Sequence, residues 1–185
     1  MRFTPLSWFN SQQLNLFVNI GIPDKGRYMS KLNKGRMTAV AEEDLVLFLI
    51  GMRFNNVFAI HRWLPVFIAM PKMLKELHIN RDLGFKSYEM WVGRTLIMVQ
   101  YWESAEKLIA YAKAKDSEHL PAWRAFNKAA MKSDSVGIWH ETYVVDKGKT
   151  ESVYVNMPPF GFGKVGALQP IQGKRNSAQE RLSGP

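Results

Sequence analysis

Between Leu45 and Tyr154 the spacing of apolar residues switches between a period of two and one of about 3.6, in the order strand, helix, strand, strand, helix, strand. A chain built in that order has few ways to bury its apolar faces. The arrangement that satisfies it is one antiparallel sheet with both helices on the same side, a ferredoxin-like βαββαβ fold of the α+β class. The other side of the sheet then needs a cover of its own. What supplies that cover decides where a ligand can sit.

The first strand, Leu45–Phe54, is apolar on both faces as far as Gly51, which marks a central, doubly covered strand. Ala59–His78 places Ile60, Trp63, Leu64, Phe67, Leu74 and Leu77 on a helical stripe. Pro65 fits the first turn, and Pro71 should kink the helix. Gly84–Arg94 and Thr95–Trp102 read as a hairpin of two strands joined at Gly93-Arg94. Residues 105–130 carry a second helical stripe with a break or fresh start near Pro121, where Ser117 is a candidate N-cap. Val136–Asp146 alternates again, and Asp146–Lys149 turns the chain into a last strand, Glu151–Met157. The pattern divides the chain into an N-terminal extension (1–40) with one short helix near Gln12–Asn19, a core domain (41–157) and a Gly/Pro-rich tail (158–185) whose end should be disordered. Met29 opens a stretch that would itself serve as a start of translation.

Charge separates the same three parts. Residues 1–40 carry six Lys/Arg against one Asp, residues 41–156 fifteen basic against fourteen acidic side chains, and residues 157–185 four Lys/Arg against one Glu. Of the formal net charge of +9, all but one unit lies outside the patterned core, which argues against a nucleic-acid-binding face. Cysteine is absent, so there is no disulfide framework, thiol nucleophile or thiolate metal site. The longest uncharged apolar runs, Leu45–Met52 and Trp63–Pro71, fall far short of the ~20 residues a spanning helix needs, and no signal-peptide pattern frames Leu14–Ile22. A cytoplasmic protein with no membrane span is expected. The phosphate-cradling loop, the dinucleotide fingerprint, the zinc-protease helix and the nucleophile elbow are all missing, and the four histidines at 61, 78, 119 and 140 lack metal-ligand spacing.

The blocks Phe48-Leu-Ile-Gly-Met-Arg-Phe54, Trp63-Leu-Pro65, Tyr101-Trp-Glu-Ser-Ala-Glu106, Ser117-Glu-His119, Trp139-His-Glu-Thr-Tyr143 and Tyr154-Val-Asn-Met-Pro-Pro-Phe-Gly161 carry a resemblance. Over roughly residues 30–167 the chain resembles the dimeric α+β barrel superfamily, and within it the family named after a fumagillin-pathway monooxygenase, related to the antibiotic-biosynthesis monooxygenases. The resemblance implies a homodimer whose sheets face each other, with a small-molecule cavity between each sheet and its own helices. It implies oxidation of a small apolar or aromatic substrate. It also leaves open a haem protein or haem enzyme of dehydratase or oxygenase type, because haem-binding branches of the superfamily carry a proximal histidine on the second helix. A third reading is a non-catalytic dimer that binds hydrophobic ligands.

Candidate site residues follow from chemistry and position. His119 shares the inward stripe of the second helix with Trp123 and Phe126. It is a satisfied core histidine, a proton-transfer group or an axial haem ligand. Arg53 and Glu89 are charges in otherwise apolar strands, so they form a mutual salt bridge or bind an anion and its proton. Asn55, after the first strand, is a substrate-binding amide or a cap. Trp63, Trp91, Trp102 and Trp139 add aromatic walls, and only one of His140 and Glu141 can face the cavity. Pro158–Gly163 is placed to fold over the cavity mouth as a lid.

Overall fold

The structure is a computed structural model in which residues 31–114 and 134–182 are described. All of the elements lie in the compact unit Leu32–Pro185. Strand β1 (Asn33–Val40) and strand β2 (Leu45–Phe54) precede helix α1 (Ile60–Ile79). The hairpin β3 (Phe85–Trp91) and β4 (Thr95–Trp102), helix α2 (Ala105–Lys113) and strand β5 (Val136–Val145) follow. Strands β6 (Tyr154–Met157) and β7 (Ala167–Pro170) flank a 3-10 turn at Gly161–Lys164, and a short helix α3 (Ala178–Leu182) comes last.

The main sheet has the order β3-β4-β2-β5, all antiparallel, which is the ferredoxin-like strand order. Strand β2 is paired along its whole length with β5, from Leu45↔Val145 to Phe54↔Val136, and with β4 from Val46↔Trp102 to Arg53↔Thr95. Gly51 is where this register needs glycine. A Cβ there would strike the indole of Trp139 and come within 2.6 Å of the Leu96 carbonyl, so the bare α-carbon lets the Trp139 side chain lie across β2.

One face of this sheet is covered by the helices. Val46, Phe85, Met98 and Trp102 pack against Leu74 and Leu77 of α1 and Leu108 and Tyr111 of α2. Trp102 is the hub: its ring lies 5.4 Å from Phe85 and 5.7 Å from Tyr111, centroid to centroid. Tyr111 also donates to the Glu76 carboxylate at 3.0 Å and so ties α2 to α1. Each large side chain buried here contributes about 1.5–3 kcal/mol.

Helix α1 runs through both prolines, with Pro65 its sixth residue, a turn deeper than the first-turn position expected. Each proline withdraws one N–H from the helical ladder. Ile60, expected on the buried stripe, is about half exposed. Helix α2 starts where Ser104 caps it, accepting from the Lys107 N–H at 3.2 Å, and ends at Ala114, whose backbone is extended. The remainder of the expected second helical region, including Ser117 and Pro121, lies outside the described residues.

A second, three-stranded sheet has the order β6-β1-β7. The expected extension therefore contributes its last eight residues to a strand at the centre of a sheet. Thr38 and Ala39 are each 2 % exposed there. The last strand, expected at Glu151–Met157, pairs with β1 over 154–157 rather than extending the main sheet. The tail also differs from expectation. β7 pairs with β1 from Met37↔Pro170 to Val40↔Ala167, and Arg181 fixes α3 by donating to Glu151 at 2.7 Å and to the Arg175 and Asn176 carbonyls. Residues 167–182 are held in place because backbone groups of β7 pair with β1 and the Arg181–Glu151 pair is mostly shielded from water.

Candidate functional site

The sheet register sorts the candidate side chains onto two faces. Residues paired directly across an antiparallel sheet share a face, and neighbours along a strand do not. Val46, Phe48 and Ile50 face the helices, so Val144, Thr142 and His140 opposite them lie on the same side of the sheet, where all three are exposed. His140 is thus the one that shares the helix side, with its ring 5.7 Å from that of Phe48, and Glu141 faces the other way. Trp63 is also on the helix side. Its ring meets Phe54 edge-on at 5.0 Å and Phe67 at 6.3 Å, and its Nε1–H donates to the Val57 carbonyl at 3.0 Å.

The opposite face carries Arg53, Glu89, Trp91 and Trp139. The expectation of a single hollow lined by all the candidates is therefore corrected: four of them are separated from Trp63 and His140 by the sheet itself. The salt bridge expected between Arg53 and Glu89 is not formed. Arg53 is exposed and donates to Thr95 Oγ1 at 3.2 Å, whereas Glu89 pairs with Lys164 at 2.6 Å. Asn55 caps no helix, since the N-cap of α1 is Ala59; its Nδ2 instead donates to the Asp134 carbonyl at 2.8 Å and ties the end of β2 to the turn before β5. His119, Trp123 and Phe126 lie outside the described residues.

The segment expected as a lid lies on the opposite face too. Phe160 meets Trp91 edge-on at 6.1 Å, Phe162 lies 6.4 Å from Tyr101, and the Gly161 N–H donates to Glu89 at 2.9 Å. Gly163 donates to the Tyr154 hydroxyl at 2.9 Å. Residues 160–164 thus form a strap across β3 and β4. Burial first, then the neighbouring Tyr154 and the Glu89 carboxylate, push the Tyr101 hydroxyl up to about 12, against a hydrogen bond with the Phe162 backbone that works the other way. Burial and Glu89 raise Tyr88 as well. Sequence reasoning missed Tyr101, Tyr154 and Lys164 as one cluster. The signal available was the alternation of Phe160 and Phe162 with glycines, which supplies two rings and two close backbone approaches.

The chemistry open to each face differs. On the helix side the exposed His140 imidazole lies beside the Phe48 ring, where it can exchange a proton with a bound molecule. On the strap side Glu89 and Lys164 pair, and Glu89 and Tyr154 accept from the Gly161 and Gly163 N–H groups. Among the described residues no group of three or more His, Asp or Glu side chains is placed to hold a metal ion. The haem reading rests on His119, which belongs to the residues outside the description.

This architecture, a four-stranded antiparallel sheet in the order β3-β4-β2-β5 with helices on one side, is that of a ferredoxin-like α+β protein. The chain belongs to the monooxygenase af470-like family, whose model matches residues 45–162. It is 26% identical over 165 residues to monooxygenase af470 of Aspergillus fumigatus, in a match covering 77% of this chain and 58% of that protein. In fold it is similar to an aldoxime dehydratase crystallised with butyraldoxime (TM-score 0.56, 18% identity, 72% of this chain and 40% of that one). A second aldoxime dehydratase structure is similar to the same extent (TM-score 0.54, 21% identity, 72% and 40%). The chain therefore spans a little over half the length of the curated relative and two-fifths of these solved structures.

Proposed function

We propose that the protein is a monooxygenase-like enzyme that oxidises a small apolar or aromatic molecule on the helix-covered face of its main sheet. Membership of the af470-like family across all four strands of that sheet is the observation that carries this reading. The local chemistry is consistent with it. Phe48 and Ile50 supply apolar wall, Trp63 closes one end of the face, and His140 brings a proton acceptor to the β5 edge. His119, read from the sequence as a core histidine, a proton-transfer group or a haem ligand, is proposed for proton transfer as well.

In a cofactor-free reaction, a histidine would take a proton from an activated C–H of the substrate. The carbanion would give one electron to dioxygen, and the resulting pair would join through a new C–O bond. Loss of water from the peroxide would leave a carbonyl, with one oxygen atom retained and the other released as water. Aromatic walls would exclude bulk water from the reactive anion. Arg53, on the far face, is not part of this step.

Oxygen uptake tests the proposal. The purified full chain is incubated with anthrones, hydroquinones and catechols under dioxygen, with no cofactor added. Uptake of one dioxygen per product formed is expected, with kcat lowered about 10²-fold by His119→Ala or His140→Ala, whichever moves the proton. Absence of uptake with every substrate class would overturn it. A hemin titration run in parallel identifies the haem reading by a Soret shift that His119→Ala abolishes.

The homodimer is proposed on the same footing. On the strap-bearing face, Leu47, Leu49, Ile97 and Val99 are only half-buried and share their surface with Trp139 and Tyr143. A second sheet laid on β2, β4 and β5 would cover them.

A further inference from the structure

One end of the main sheet gathers two apolar tips and a group of cations. Strands β2 and β3 finish there and β4 and β5 begin, so the β2–α1 loop and the β3–β4 hairpin lie side by side. They are joined directly. The Phe54 N–H donates to the Arg94 carbonyl at 2.9 Å, and the N–H groups of Asn55 and Asn56 donate to the Ser135 carbonyl at 3.0 Å. Each tip is held open to solvent. Phe58, fixed by its N–H on Asn56 Oδ1 at 3.0 Å, is 78% exposed, with Val57 and Ile60 each 49% exposed beside it. On the hairpin, Trp91 and Val92 are 47% and 50% exposed. Five large apolar side chains facing water on two adjacent loops are more than scatter across a surface explains.

The charges around them are mostly of one sign. Arg53, Arg62 and Arg94 are all exposed at this end, against Asp134 as the acid among the described residues there. The far end of the sheet is mixed. Glu42, Glu43, Asp44, Glu103 and Asp146 are exposed there beside Lys147 and Lys149, and Lys86 and Lys107 are engaged with Glu43 and Glu103. Unbalanced positive charge therefore coincides with the apolar tips.

We propose that this end of the sheet docks on the surface of an anionic lipid bilayer. Phe58 and Trp91 would enter the headgroup region, where an aromatic ring is favoured, and the arginines would sit at the level of the phosphates. A protein partner would have to leave three arginines desolvated or bring a carboxylate to each. A bilayer supplies mobile anions and an apolar layer together. This surface stands apart from the catalytic reading and does not rest on it.

Co-sedimentation of the full chain with vesicles decides the matter. Binding to phosphatidylcholine vesicles containing phosphatidylserine is expected, with little binding to phosphatidylcholine alone and loss of binding as salt rises. Arg62→Gln and Arg94→Gln should each weaken partitioning about fivefold. Phe58→Ser should weaken it further, and Glu42→Gln at the opposite end should leave it unchanged. Val92→Ser tests the second loop independently should Phe58→Ser lose its circular-dichroism signature. Equal binding to neutral vesicles, no binding, or retention in the Arg94 and Val92 variants would overturn the proposal. So would a Phe58→Ser variant whose only change is dissociation of a wild-type dimer in sedimentation velocity, because the surface would then be a contact between copies.

Discussion

Gln100 is a polar side chain in the middle of the helix-side core, and its amide is used twice. Its Oε1 accepts from Trp102 Nε1 at 2.9 Å and its Nε2 donates to the Met98 sulfur at 3.0 Å. Gln100→Leu leaves the Trp102 N–H buried without an acceptor, so unfolding by urea should show a loss of about 1–3 kcal/mol. Pairing it with Trp102→Phe should cost less than the sum of the two single changes, because the orphaned donor goes too. At Tyr101 the prediction concerns pH. Its folded value lies near 12, above the ordinary tyrosine value of about 10. Between those two values the unfolded chain loses a proton that the folded chain keeps, so stability is complete below pH ~10 and falls as pH rises toward 12. Comparing wild type with Tyr101→Phe by denaturation across that window should show a flatter slope in the variant; identical slopes would refute the assignment. Residues of this kind explain how much of the candidate site was legible. The sequence marks Trp63 and one of His140 and Glu141 as candidates for a wall, but residue type says nothing about which side of a strand a side chain takes. Opposite charge alone suggests pairing Arg53 with Glu89, whereas the register gives each another partner.

The strap and the second sheet show the same limit for whole elements. Lys164 and the Gly161 N–H converge on the mostly buried Glu89 carboxylate, and these contacts hold residues 160–164 on β3 and β4. Glu89→Gln keeps an acceptor for Gly161 but loses the ion pair, a change of about 1–3 kcal/mol for a hydrogen bond to a charged group. Faster amide exchange confined to residues 158–166, with the rest of the sheet unaltered, is the expected signature. Strands β2 and β4 were legible to the residue because apolar side chains run the length of β2 up to Arg53 and β4 buries every second residue. β1 was not. Asn33-Lys-Gly-Arg36 has no period, and the strand is fixed by remote partners: Gly35 donates to Asn156 and Ala39 to Ser152, each more than a hundred residues away. Local pattern cannot register such pairings. A Pro/Gly-rich segment reads as irregular, and at residues 158–166 it is. What the pattern could not show is that its rings and N–H groups find partners on the sheet.

For the whole molecule, the two faces of one sheet carry different work. The helix-covered face is proposed for chemistry, and the other carries the strap and is proposed to meet a second subunit. Leu49, half-buried and central on β2, tests the division. Leu49→Asp should raise the dimer dissociation constant at least about thirtyfold in sedimentation velocity while the monomer keeps its far-ultraviolet spectrum. A monomeric wild type would remove the subunit from the picture and leave the strap as this face's own cover. The second sheet has a further consequence for how the chain is made. β1 emerges from the ribosome more than a hundred residues ahead of both strands that flank it. At ordinary elongation rates it waits on the order of ten seconds with both edges bare. During that interval nascent β1 is open to wrong pairing with neighbouring polypeptides, so expression yield should depend on temperature and chaperone supply more than the finished fold would suggest.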